Sequence, residues 1–498
     1  MPQFSARFNA PTLCNALKNI ERFRDKKAII PICEGYLFEA MSDETVFVLG
    51  KRSFVALKKT LAPEVLSPLQ AIESVFFLNR ESFVERVTSL IGEPYVETVL
   101  TACEGVVRVA ASDTYVGGFI YVTAIITQHG AFSVHSKMLD FLKEVGSVDI
   151  AITELENQWA SIKYKKTTYK IPGMPAGDMA NLIRIPAEDS KLTTMPADAF
   201  MDCLKTASPF KGEDESRLFI NGVNIQKRDE NIAFAATDGY RLCLLLSKAS
   251  MADTIDVTFS NRLLDSLVIE DADIVSVYKD DKFTYLQFDN SAFFSSRHYN
   301  EVTFVKYQER LIDPFPNESF IPVTVSQVDL VSALKRILVV CNDSYHMILT
   351  ATPGKVELSV PDNAFGEGRE SIDASMGDLG YKLTKHGIDC LCSADMPGEE
   401  VEKIVPFIDH AITSKEKFLE NLSKELASGT LKSFQDSLLQ QAEKKRVGFN
   451  GKFFLQQVRL FDKCDTLTIK FPLDKNAPIL LESTDDVNII QMILRMND

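Results

Sequence analysis

One short helical phrase recurs six times along this chain: an apolar residue, three intervening positions, and a second apolar residue, in five copies with a base directly behind it. The copies are Leu13/Leu17-Lys18, Met138/Leu142-Lys143, Phe200/Leu204-Lys205, Leu263/Leu267, Leu330/Leu334-Lys335 and Phe454/Val458-Arg459, and the fourth carries Arg262 before its first anchor instead. Positions i and i+4 share one helix face, and the next residue lies about 100° round the helix. Each copy therefore buries one side and can turn a cation outward. Second anchors at 17, 142, 204, 267, 334 and 458 are spaced by 125, 62, 63, 67 and 124 residues. A unit of about 60 to 65 residues repeats, and two spacings are roughly double, so the chain is built by repetition.

At 498 residues the chain is long for one core, and about three domains are expected. Apolar content of 45% with 25% charged residues is ordinary globular composition. No run approaches the ~18 consecutive apolar residues of a membrane span, and the start, MPQFSARFNAPTL, lacks a secretory apolar core. A cytoplasmic location is the expectation. The nine cysteines include no CxxC pair, which reads as reduced thiols. The six histidines form no HxxxH or Cys/His cluster, so neither metal nor cofactor is expected.

A net charge of −15 argues on average against nucleic acid. An acidic protein that gathers its bases on selected helices can still repel DNA elsewhere and hold it at one surface. The recurring helices are where bases keep returning, as in Lys18, Arg22, Arg24, Lys26, Lys27 and again in Lys335-Arg336. For any one helix a plain solvated face explains this as well; six with the same habit do not fit that reading easily.

Between the helices lie strand-like runs: Ile29–Ile32, Arg217–Ile220, Ile232–Ala236, Asp273–Val277 and Lys355–Val360. Asn221-Gly222, Asp238-Gly239 and Pro353-Gly354 are turn dipeptides. Each unit thus reads as one helix plus antiparallel strands, an α+β repeat. Residues from about 43 to 104 and from about 374 to 447 break the period and read as insertions, the second mostly helical. Turn-rich, proline-bearing stretches at 172–196 and 313–322 give domains 1–192, 193–318 and 319–498, each with two recurring helices.

At this point the sequence resembles the bacterial β sliding clamp family, the processivity factor of DNA polymerase III. ATDGYRL at Ala236–Leu242 is similar to the family's ATDGHRL, and Arg217–Val223 carries its R-x-x-L-x-G-V pattern upstream. Tyr169–Ala176, Gly366–Glu370, Val447–Asn450 and Met492–Met496 match further family segments in the same order. The resemblance covers nearly the whole chain outside the two insertions. There are departures: Tyr240 stands where the family usually has histidine, Ile493 and Val305 replace prolines, and Asn497 and Asp498 follow the usual end. They suggest a divergent member, such as a large phage would encode.

The resemblance implies a three-domain clamp fold, α+β, each domain with two helices packed on antiparallel sheets, closing head to tail into a homodimeric ring round double-stranded DNA. Contacts to phosphates by Lys and Arg suit sliding because they carry no sequence information. The DNA-facing candidates are Lys18, Arg22, Arg24, Lys137, Lys143, Lys205, Lys211, Arg262, Lys335, Arg336, Lys452 and Arg459. By residue match, Tyr169 and Ile171 would meet Val339 and Val340 of the other subunit across the seam, although core roles in each domain explain these residues equally. A DNA polymerase and a clamp loader would insert short peptides into a cleft formed by Ile220, Thr237, Gly239, Tyr240, Arg241, Leu242, Val305, Asn450, Phe453, Met492, Ile493, Leu494, Arg495 and Met496. Read without the family, ATDGYRL is a strand leaving a tight turn and the tail an apolar edge strand.

Catalysis is not expected. Ala351–Val356 lacks the first glycine and the Ser/Thr of a phosphate loop, and Glu270, Asp271 and Asp273 fit solvated turn carboxylates. The rival reading is a clamp-like, non-catalytic scaffold that binds proteins through its insertions without sliding on DNA.

Overall fold

The computed structural model describes residues 4–493, apart from 25–30, 43–44, 181, 215, 229, 249, 252–254, 269–271, 297–302, 315–319, 353, 376–444, 463, 473–476 and 484–488. The second expected insertion thus lies almost wholly outside the described residues, as do Glu270, Asp271, Leu494, Arg495 and Met496.

All six recurring helices are present: α1 (Ala10–Ile20), α2 (Lys137–Glu144), α3 (Ala197–Ala207), α4 (Asn261–Ser266), α5 (Gln327–Ile337) and α6 (Gly451–Val458). Four open on a side-chain cap, in which Asn9, Ser260, Ser326 or Asn450 accepts a first-turn backbone N–H. Eleven of the twelve anchors are buried. The exception is Leu267, half-buried because α4 ends one residue earlier and the chain turns extended there.

The chain divides into two compact units. In the first (1–204, 222–232 and 248–303), fourteen strands pair antiparallel in one branched sheet. The long strand Val116–Gln128 is its spine, pairing along 116–124 with Ser291–Ser296 and Gly105–Ser112 and, over 125–128, with Ser5–Asn9. Gly117 and Gly118 allow the pairing with Ser291–Ser296, since a Cβ on either would collide with the ring of Phe294 or Phe293. Strand Thr167–Ile171 ends the order and pairs only with Ala160–Tyr164, leaving its other edge open among the described residues.

The first insertion grows from the tip of a hairpin. Strands Gly35–Ala40 and Gly105–Ser112 pair from Leu37↔Ala110 to Ala40↔Val107, and the insertion occupies the chain between them. Its helices Lys51–Leu57, Pro63–Leu66, Arg80–Ile91 and Val96–Leu100 enclose a core of their own around Phe47, Phe54, Leu69, Phe83, Val87 and Val99. Val46, Val48 and Phe76 then pack down on Leu37, Val106 and Tyr121 of the host sheet. Successive strand residues face opposite sides, so Phe38 belongs to the other face, where it meets Phe4, Phe8 and Phe132. Helix α1 packs on the same strands, and none of its residues joins the cluster beneath the insertion. The insertion and α1 therefore cover opposite faces of one sheet.

In the second unit (205–221, 233–247 and 304–498) the strand order runs Arg241–Lys248, Ile489–Ile493, Ile479–Ser483, Thr466–Pro472, Phe320–Ser326, Gly366–Ser375, Lys355–Asn363, His346–Thr352, Lys445–Asn450. Helices α5 and α6 pack side by side over a core that includes Leu330, Leu334, Phe454 and Val458. Gly366–Ser375 pairs along its length with Lys355–Asn363 but meets Phe320–Ser326 only at Ala374 and Ser375, so its second edge is open over 366–373 among the described residues.

Two strand expectations need correction. Arg217–Ile220 is no strand: Leu218–Ile220 forms a 3-10 turn that delivers Ile220 to the interior at 2% exposure. In Ile29–Ile32, the described part belongs to the 3-10 turn Pro31–Glu34. Ile232–Ala236, Asp273–Val277 and Lys355–Val360 are strands as expected, apart from Asp273, which precedes its strand.

Candidate nucleic-acid interface and apolar cleft

The expected cations divide by what already holds them. Lys18, Lys137, Lys205, Lys335 and Arg459 are exposed and make no ion pair among the described residues. Lys143 pairs loosely with Asp140 at 3.4 Å, and Lys452 lies 5.0 Å from the Tyr345 ring centroid. Arg22 donates to the Asp265 carbonyl, linking the end of α1 to α4, and Arg262 pairs with the buried carboxylate of Asp113 at 2.5 Å. Lys211 is half-buried. Arg336 forms a bidentate pair with Glu370 that raises its own pKa and holds Glu370 below the usual carboxylate range.

Arg24 leaves the set. Its side chain is 8% exposed, lies over the Tyr36 ring at 5.1 Å, and is bound to Glu21 and the Glu34 carbonyl. It is a packing residue, and burial in turn pushes the Tyr36 hydroxyl up.

At the seam positions, Val339 is 80% exposed and Tyr169 45%, whereas Ile171 is buried and Val340 half-buried. Tyr169 sits on the open-edged strand Thr167–Ile171 with its ring 4.9 Å from Phe141. Val340 lies beneath Gly368 of the other open-edged strand, where a Cβ would press on its methyl.

The ATDGYRL segment folds as it does because Asp238 and Thr237 organise the turn. Asp238 Oδ1 accepts the amides of Tyr240 (2.9 Å) and Arg241 (3.0 Å). Thr237 Oγ1 accepts from Gly239 N and donates to the Arg241 carbonyl. Gly239 takes φ +89°, which a side chain would resist. The turn aims Arg241 inward. Its guanidinium pairs with Asp238, reaches Gln456 and the Pro209 carbonyl, and lies between the rings of Phe210 (4.7 Å) and Phe453 (4.4 Å). One side chain thereby joins the turn, the loop after α3 and helix α6.

Beside it opens a cavity of ≈ 180 Å³, lined by Arg217, Phe219, Ile220, Thr237, Gly239, Arg241, Leu242, Val305, Arg310 and Pro478. All ten belong to the second unit. Six are among the cleft residues expected from sequence. Tyr240 stands 59% exposed next to it, 6.3 Å from Phe453. Asn450 caps α6 and bonds the Ser344 carbonyl rather than lining the cavity. Met492 and Ile493 pair in register with Leu242 and Arg241, so the strand they occupy borders the site. Arg217, Phe219, Arg310 and Pro478 are additions; Arg217 and Phe219 stood inside the matched segment, whereas Arg310 and Pro478 carried no local signal.

No group of three metal-ligating residues occurs among the described residues, and burial pushes the Cys203 thiol up to about 11, far from a reactive thiolate. No described helix is long and apolar enough to cross a membrane.

No protein-family model matches the chain. It is 24% identical over 311 residues to the β sliding clamp of Synechococcus elongatus, covering 59% of this chain and 81% of that one. It is 23% identical over 354 residues to the β sliding clamp of Synechocystis sp., covering 63% and 88%. Among solved structures, it superposes on the DNA polymerase sliding clamp of Bacillus subtilis with a TM-score of 0.66 at 13% identity, covering all of both chains. The sliding clamp of Bartonella birtlesii, solved with griselimycin bound, gives 0.65 at 15% identity over 99% of this chain and 100% of that one.

Proposed function

We propose that the chain, which superposes on solved sliding clamps, is a divergent DNA sliding clamp, encircling duplex DNA and tethering a replicative polymerase to it. The observation that carries this reading is the six-fold recurrence of one amphipathic helix, with eleven of its twelve anchors buried and exposed bases beside five of the copies. A clamp has no bond to make or break. It needs contacts that hold a phosphate backbone without reading bases, and exposed lysines and arginines on helix surfaces supply them.

Two open strand edges support closure into a ring. The hairpin ending in Thr167–Ile171 carries Lys163, Lys165, Lys166 and Lys170. The hairpin containing Gly366–Ser375 carries Glu357, Asp362, Glu367 and Asp373. None of these eight makes an ion pair among the described residues. Joining the first hairpin of one copy to the second of its partner extends a sheet, covers Val339 and Tyr169, and sets opposite charges together. Such a heterologous contact made twice closes a ring. In this reading the chain comprises three domains, 1–192, 193–318 and 319–498, and polymerase and loader peptides enter the apolar cleft beside Arg241.

Negative-stain electron microscopy of the purified chain tests the proposal. A closed ring of two subunits with six lobes is expected. Compact particles without a hole would leave the fold intact and sink the clamp reading in favour of a protein scaffold.

A further inference from the structure

Three arginines border the apolar cavity of the second unit, and their charges are not equally balanced. Arg241 is matched by Asp238 at 2.9 Å. Arg217 is matched by Asp214 at 3.0 Å, a carboxylate that the Ser216 hydroxyl and amide, together with Arg217, hold below its ordinary range. Arg310 is exposed, lines the same cavity, and has no carboxylate partner among the described residues. The acids nearest to it in sequence are taken: Glu309 by Lys306 at 3.0 Å, and Asp313 by the Gln308 amide.

We infer that the cavity accepts a peptide segment in which an apolar side chain is flanked by a carboxylate, and that Arg310 is the residue that reads the carboxylate. This rests on the cleft being the partner-binding site. An apolar side chain filling ≈ 180 Å³ between Ile220, Leu242, Val305 and Pro478 displaces water from the mouth of the cavity. A neutral segment would strip water from Arg310 and return nothing, whereas an anionic one replaces that water with a charge-assisted hydrogen bond. Arg217 and Arg241 face no such loss, because their counter-charges are built in. The carboxylate can be an Asp or Glu side chain or the free end of a partner chain. Either presents the same two oxygens to the guanidinium.

The test uses the full-length protein and fluorescein-labelled hexapeptides centred on leucine, read by fluorescence polarisation. One pair differs by Asp against Asn beside the leucine, and a second pair by a free against an amidated C-terminus. About tenfold tighter binding of the acidic member is expected in one of the pairs, and which pair shows it identifies the source of the carboxylate. Arg310→Gln should erase the difference between the acidic and neutral members, and Arg310→Lys should restore part of it. If every peptide binds, V305D abolishes binding, and acidic and neutral members are equal, the cleft stands and the role of Arg310 is overturned. If no peptide binds the native protein, the cleft reading fails and takes this inference with it.

Discussion

Arg336 and Glu370 meet in a bidentate pair, with Nε and one terminal nitrogen each 2.8 Å from a carboxylate oxygen. The pair joins the last turn of α5 to the strand whose second edge is open, so a base on a recurring helix serves the sheet beside it rather than the solvent. Glu370 is held below the ordinary carboxylate range chiefly by this guanidinium. A carboxyl depressed in the folded state contributes stability above its unfolded pKa and loses it as pH falls through the folded value. The melting temperatures of the native protein and of Glu370→Gln should therefore differ at pH 7 and converge below about pH 4. A difference that persists in acid would mean that the substitution acts through packing. Arg336 is 60% exposed on its side chain, so the effect is small.

Reversing the unpaired cations should weaken DNA binding without dispersing the ring. Lys18, Lys335 and Arg459 sit on three different recurring helices and have no counter-ion among the described residues. Their joint replacement by Glu is expected to lower affinity for duplex DNA at low salt. It should also flatten the dependence of log K on log salt by about 1 for each phosphate that is no longer neutralised. An unaltered slope would remove these helices from the interface.

Complementary charge swaps offer a sharper test of head-to-tail closure. One variant replaces Lys163, Lys166 and Lys170 by Glu; the other replaces Glu357, Glu367 and Asp373 by Lys. Each alone should elute as a monomer, since both of its seams would then join like charges. Mixed in equal amounts they should recover the native particle size, because each seam again joins opposite signs. Light scattering behind a sizing column reads the result, and a mixture that stays monomeric would refute this pairing.

Arg241 is 9% exposed and ties together three segments through Asp238, Gln456 and the Pro209 carbonyl. Arg241→Ala leaves Asp238 without its partner and should cost about 3 kcal/mol in denaturant unfolding. Arg241→Lys keeps the charge but cannot lie flat between Phe210 and Phe453 while bonding at both ends, and should recover little of it. Equal stability of Lys and wild type would mean that the stacking contributes nothing.

What the sequence made legible follows physical lines. All six helices were readable because burial of one face imposes a period; the capping residues that open four of them were not part of that reading. Arg24 was misjudged because helical phase was extended past Ile20, into a 3-10 turn and then extended chain, where the rule of faces no longer applies. Arg217–Ile220 read as a strand because an apolar run of three, Leu218–Ile220, does not distinguish a strand from a turn that buries one residue. The turn chemistry of Thr237, Asp238 and Gly239 was local and therefore visible. Arg310 and Pro478 join the cavity from distant parts of the chain, and no spacing rule connects them.

The first insertion leaves the chain and returns to it at the tip of one hairpin, with Ala40 and Val107 still paired beneath it. Entry and exit are already side by side, so the module adds little loop-closure entropy to the folding of the strands below. A lineage could enlarge, trade or delete this cassette while the ladder under it keeps its register and α1 keeps its place on the opposite face. Gene length at this locus is thus free to drift independently of the geometry that the recurring helices must preserve.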